Sequence, residues 1–439
     1  MVLNKQGNLK MRAHFKSLLM FTAAVSAPAG LAIAQVARPV VAAPQRVAPM
    51  PVPPAPTVAP PAVTPQPPVV LPPPFWDPRD VQAMLGMIQN IGSEGLNPTD
   101  YDPAGLAVVL RSGIPTQLAE AATDRFNRLS SDLALGHVRG KDRVDWHVVD
   151  GDLDAARQRT LLDSALVTHR VPEVLGSLLP THPQYHDLKT ALAVTPPTET
   201  AKRDRIRLNL ERWRWLPRDL GDKYVIVNVP AYYVALVQSG VTRWRERGIA
   251  GAIKTPTPML SATAVGVSLN PWWEVPASIN HEVAGKKGFV ALRGKDGKIQ
   301  RWRQPPGPSN ALGQLKFVMY NPHNIYLHDT NARSRFESRM RSLSHGCIRT
   351  QNILDLATTL LGDDNGEWTR EKIDATLASK KTVQANFVKP LPVYIVYFST
   401  AAATDGRIVN YTDVYQRDAR VLAALGGRPT GGGVKTAAK

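Results

Sequence analysis

From residue 75 to about residue 200 the apolar positions recur at helical spacing. Asp77-Pro78 supplies an N-cap and a proline suited to the first helical turn, and Val81, Met84, Leu85 and Ile88 follow on one face. Asp102-Pro103 repeats the device ahead of Leu106 and Leu110, with Gly113 as the stop. A longer helix is expected from Thr116 to Gly136, because Leu118, Ala122, Phe126, Leu129 and Leu133 share a stripe. Shorter helices are read at 161–167, 173–179 and 184–192, and a polar joint at 195–205.

Beyond the joint the period shortens to two. Strands are expected at 224–229, 232–237, 241–245, 261–269, 315–320, 325–328 and 393–398, with Ser239-Gly240 turning a hairpin. Two helices interrupt them, Gln351 to Leu361 before Gly362 and Arg370 to Ala378. The fold class is therefore α+β: an N-terminal helical scaffold region over 75–200, then a β-rich sheet or sandwich with added helices over 205–426.

The flanks read differently. Lys5, Lys10, Arg12 and Lys16 precede an apolar run from Leu18 to Leu31 and a small-x-small site at Ala32-Ile33-Ala34, the three parts of a cleavable export signal over 1–34. Residues 35–74 form a linker with fifteen prolines between Pro39 and Pro74, expected to be extended and unfolded, as is the glycine-rich tail at 427–439. The 439-residue chain carries 53 Lys and Arg against 36 Asp and Glu, a net charge of +17. Losing the four basic groups of 1–34 leaves +13 (17 − 4), suited to an anionic partner in the cell envelope. No nucleic-acid motif accompanies that charge, and no stable transmembrane anchor is expected once the signal is removed.

A single cysteine, Cys347, excludes an internal disulfide and thiolate-only iron–sulfur or four-cysteine zinc sites. It stands in Ser344-His-Gly-Cys-Ile-Arg349, read as a loop running into the helix near Gln351. An ordinary thiol is only roughly 3% thiolate at pH 7, so a nucleophilic cysteine needs activation. The helix start, Arg349 and a histidine are the available means: His345 is adjacent, and His328 ends a strand and is followed by Asp329. A buried structural thiol is the plain alternative. Zinc chemistry through His323, His328, His345 and Cys347 is another, but the compact two-histidine helix motif is missing. The tryptophans at 213, 215, 272 and 273 are expected to pack, and Arg243, Arg245 and Arg247 to line a solvated strand face.

His328 in Tyr326-Leu-His-Asp-Thr330, together with Ser344-His-Gly-Cys-Ile-Arg349, resembles the signature of L,D-transpeptidases with a YkuD-type catalytic domain. Arg212-Trp-Arg-Trp-Leu-Pro217, Val227-Asn-Val-Pro230, Asn270-Pro-Trp-Trp273, Pro276-Ala-Ser-Ile279 and Pro306-Gly-Pro-Ser-Asn310 are similar, in order, to segments of the YcbB-like subgroup. The subgroup's peptidoglycan-binding module finds no room between His182 and Arg205, and its capping insertion is short between Ile279 and Pro306.

The resemblance implies a periplasmic enzyme without cofactor or metal, acting on peptidoglycan tetrapeptide stems as donor and acceptor, with wall-synthesis proteins as further partners. Cys347 would attack the third stem residue, release D-alanine and pass the acyl group on in a 3→3 cross-link, and carbapenems would acylate it. His328 would be the base, oriented by the Asp329 backbone carbonyl. The Gly346 and Cys347 N–H groups would hold the oxyanion with help from Tyr326. Ser344, His345 and Arg349 would bind substrate or shape the loop. Hydrolysis, D-amino-acid exchange, wall-protein attachment and a non-catalytic envelope scaffold are the competing outcomes.

Overall fold

The computed structural model describes residues 74–149, 151–403 and 406–426. The expected signal (1–34), nearly all of the proline-rich linker and the tail at 427–439 lie outside the described residues. Among the described residues no helix is long and apolar enough to cross a membrane.

Seven helices open the fold: α1 (Pro78–Asn90), α2 (Pro103–Ser112), α3 (Pro115–Leu135), α4 (Ala155–Thr168), α5 (Val171–Gly176), α6 (Pro183–Val194) and α7 (Thr200–Arg214). The expected caps hold: Asp77 accepts from the Arg79 N–H, and Asp102 from the Gly105 N–H, so each satisfies a helix-end donor. Val81, Met84, Leu85 and Ile88 of α1 pack against the α3 stripe in one core.

The joint read at 195–205 is largely the first part of α7. Its inner positions carry Asn209, Glu211, Arg212 and Arg214 as well as Leu208 and Leu210, so burial is not announced by hydrophobicity. Glu211 and Arg214 form an ion pair at 2.7 Å with both side chains fully buried. The Val138 N–H and the Trp215 indole N–H also donate to Glu211, at 2.7 and 2.9 Å. Burial alone would raise its carboxyl; Arg214 and these donors hold it below the usual range instead. Trp213 and Trp215 pack in the interior as expected.

The second region contains β1 (Lys223–Asn228), β2 (Tyr233–Gln238), β3 (Val241–Gly251), β4 (Leu260–Leu269), β5 (Trp273–Glu274), α8 (Asn280–Val283), β6 (Val290–Arg293), β7 (Ile299–Gln304), β8 (Leu315–Tyr320) and β9 (Leu327–His328). After it come β10 (Ser342–Ser344), β11 (Ile348–Thr350), α9 (Ile353–Asn365), α10 (Arg370–Ala378), β12 (Val383–Val396), β13 (Thr400–Ala402), β14 (Ile408–Asn410) and α11 (Asp418–Leu425).

The main sheet runs β10-β3-β11-β9-β8-β4-β12-β1-β2, and β2 also pairs with β3. It thus closes into a barrel rather than the sheet or sandwich expected, because the long β3 pairs with β2 along its first part and with β11 at Gly248 and Ile249. Inward side chains such as Val225, Val267, Phe317, Leu327 and Ile348 fill it, and α9 covers it with Leu356 and Leu360. Gly362 lies inside α9, and the helix stops at the left-handed Gly366. Ser239 and Gly240 both have positive φ, the conformation of a tight hairpin turn. Arg243, Arg245 and Arg247 do line an exposed face of β3. The short stretch 279–306 supplies β6 and β7, which join β5 just ahead of it in a separate three-stranded sheet, β5-β7-β6, over a small core of Val275, Ile279 and Val283.

Candidate active site

Strand register gathers the chemistry. In β8, Leu315, Phe317 and Met319 enter the barrel core, so Lys316 projects from the opposite face. Lys316 stands opposite His328 of β9, and His328 opposite Arg349 of β11. Residues two apart share a face, so Tyr326 belongs with His328, and Cys347, just ahead of β11, with Arg349. The Tyr326 and His328 rings are 5.6 Å apart edge to face, and Lys316 Nζ lies 5.2 Å from the Tyr326 ring centre. Five reactive or charged side chains from three adjacent strands thus form one patch.

The Cys347 loop is built around Ser344 and Gly346. Ser344 Oγ donates to the Cys347 carbonyl at 2.5 Å and accepts from the Gly346 N–H at 3.1 Å. Thr257 Oγ1 donates to the Gly346 carbonyl at 2.7 Å. Gly346 has φ +115°, where a side chain would be strained, and a Cβ would come within 3.3 Å of Ile325. Ser344 is therefore a loop-shaping residue in this structure. The Gly346 N–H, expected to hold the oxyanion, is already committed to Ser344; the sequence showed the donor but not the hydroxyl that occupies it.

Two further expectations change. Cys347 enters strand β11 rather than a helix start, since Ile348–Thr350 intervene before α9. Its half-buried thiol donates to the Asn324 carbonyl at 3.6 Å, and burial pushes its pKa up, outweighing the opposing influence of Tyr326, Lys316 and Arg349. The resting cysteine is thus a protonated thiol.

His328 is buried and held neutral, its pKa lowered to about 3 by burial and then by Arg349 and Lys316. The Asp329 backbone carbonyl lies at the ring, in the place expected of an orienter, and opposes that shift, although Nδ1 falls short of full hydrogen-bond geometry. The Asp329 side chain turns elsewhere: its Oδ2 accepts from the Gln314 N–H and from Arg333, both at 2.9 Å.

His345 is exposed and meets Glu282 of α8 at 3.2 Å, linking the Cys347 loop to α8 beside the small sheet. Tyr326 lies beside Cys347, and burial, then Cys347, raise its hydroxyl pKa. His323 packs against His147 with ring centres 4.2 Å apart and the planes tilted by 44°. Among the described residues no three His, Cys, Asp or Glu side chains cluster as metal ligands. Sequence reading missed Lys316, Glu282, Asn324 and Thr257; the alternation through Leu315-Lys-Phe-Val-Met319 is the one signal that places Lys316 beside His328.

Because the thiol is raised and His328 is neutral, alkylation of Cys347 by iodoacetamide is expected to accelerate continuously from pH 7 without levelling off below about pH 9. A plateau below pH 8 in a rate–pH series would refute the neutral resting pair.

Residues 222–395 match the YkuD family, described as the L,D-transpeptidase catalytic domain, and residues 72–192 match the Scaffold domain. A Haemophilus influenzae protein named "Putative L,D-transpeptidase" is 29% identical over 289 residues, 60% of this chain and 58% of that protein. The chain thus matches less than two thirds of that relative's length. Among solved structures, the Enterococcus faecium L,D-transpeptidase catalytic domain acylated by ertapenem is 13% identical, covers 40% of this chain and 96% of that one, and has a TM-score of 0.21. Mycobacterium tuberculosis L,D-transpeptidase 1 is 14% identical, with coverages of 40% and 61% and a TM-score of 0.20. By its family matches, this chain carries a YkuD L,D-transpeptidase catalytic domain preceded by a Scaffold domain.

Proposed function

We propose that the protein is a YcbB-like peptidoglycan L,D-transpeptidase, exported by residues 1–34 and acting in the periplasm to form 3→3 cross-links. One observation supports this above others: Cys347, Tyr326, His328 and Arg349 share a single face of adjacent strands inside a matched catalytic domain.

The chemistry follows from their roles. The thiol leaves the Asn324 carbonyl and passes its proton to the neutral His328, while Sγ bonds to the carbonyl carbon of the third stem residue. The Cys347 N–H and the Tyr326 hydroxyl stabilise the oxyanion, Gly346 being occupied. Collapse breaks the bond to D-alanine, whose nitrogen takes the proton from His328, and leaves a thioester. The amine of an acceptor stem attacks, gives its proton to His328 and receives the acyl group as the thiol re-forms.

The test is mass spectrometry of disaccharide-tetrapeptide incubated with the chain lacking residues 1–34. A dimer formed with loss of one D-alanine is expected. A tripeptide monomer as the sole product would assign hydrolysis instead, and no product from folded, reduced protein would favour the non-catalytic scaffold.

A further inference from the structure

The active-site face is cationic without compensation. The half-buried Lys316 and Arg349 form no ion pair among the described residues, nor does the exposed Arg335, although most other buried or half-buried arginines of the fold do. Arg349 lies half-buried with its Nε lacking any hydrogen-bond partner. Arg335 is near enough to disfavour its charge further. A buried guanidinium donor without a partner is costly, and repulsion between neighbouring cations adds to that cost. Such an arrangement is stabilised by an anion that arrives from outside.

Its position says which anion. Lys316 and Arg349 flank His328 from the two neighbouring strands. On the reading above, His328 protonates the nitrogen of the departing residue. In a terminal amino acid the carboxylate is joined to that nitrogen through one carbon, so whatever surrounds His328 meets the carboxylate. We propose that Lys316 and Arg349 clamp the terminal carboxylate of the donor peptide, making Lys316 a specificity-determining residue; this rests on the transpeptidase reading. Guanidinium and carboxylate pair through two parallel hydrogen bonds, and the ammonium supplies a second charge from the other side. A seated carboxylate also offsets the two charges that disfavour a proton on His328, so the correct donor improves the base that acts on it.

The experiment compares a tetrapeptide donor ending in a free carboxylate with the same peptide ending in a carboxamide, at fixed acceptor, by mass spectrometry. The unmodified protein is expected to prefer the acid by about tenfold in kcat/KM, the size of one charge-assisted hydrogen bond. Lys316→Met is expected to collapse that ratio towards one, and Lys316→Arg to keep it. Equal use of the two donors by the unmodified protein overturns the clamp alone. So does a Lys316→Met protein in which both rates fall alike and the ratio stands. Turnover of neither donor by folded, reduced protein overturns the clamp together with the transpeptidase reading.

Discussion

Cys347→Ala is expected to lower turnover of a tetrapeptide donor by at least about 10⁴-fold, because removing a nucleophile leaves only binding and oxyanion contacts to act on water or amine. A carbapenem is expected to leave a covalent adduct on the unmodified protein and none on this variant, read by intact mass. Stability should hardly move: the side chain is small and half-buried, and its contact to the Asn324 carbonyl is long. That combination separates a chemical role from a structural one, since a core thiol would show the reverse. Residual activity within tenfold of the unmodified protein would remove Cys347 from the mechanism and return attention to His328 and water.

The second large effect concerns stability. Glu211→Ala is expected to cost about 3–5 kcal/mol, the usual consequence of stranding a buried charge. Arg214 would lose its carboxylate while still donating to the Glu94 carbonyl at 2.8 Å and the Tyr185 hydroxyl at 3.1 Å. The Val138 N–H and the Trp215 indole N–H would lose their acceptor as well. Gly136 adds to the constraint: it has φ +85°, and a Cβ there would fall 2.6 Å from Glu211 Oε1, so the backbone has been drawn against this carboxylate. Glu211→Gln keeps an acceptor for one donor and should lose less. Since the carboxyl is held below its usual range, its stabilisation is present above the ordinary glutamate pKa and is lost as pH falls through the folded value. Thermal unfolding of Glu211→Ala within about 1 °C of the unmodified protein would show that the pair is dispensable.

Much of this organisation was legible where the signal is local. Asp77-Pro78 and Asp102-Pro103 announce helices because a cap and a proline act within one turn. Helix α7 escaped because burial there falls on Asn209, Glu211, Arg212 and Arg214, which apolar periodicity cannot register. Barrel closure through β2 and β3 escaped because pairing partners far apart in sequence leave no local trace. In the site, Cys347 and His328 stand out by motif, whereas the loss of the Gly346 N–H to Ser344 depends on a side-chain rotation. Glu282 reaches His345 across 63 residues, a contact that no spacing rule supplies.

Helix α11 carries a consequence for how the chain matures. Val421 and Leu425 belong to the same core as Trp76, Val81 and Phe126, and Asp418 pairs with the buried Arg212 at 2.8 Å. The helical half emerges first during synthesis yet needs these late residues to finish its packing. Any folding of the helical part ahead of these residues is therefore provisional, with apolar surface uncovered until the remainder of the chain follows. A polypeptide interrupted before residue 418 would keep that surface open, and proteases and chaperones could recognise the unfinished product by it.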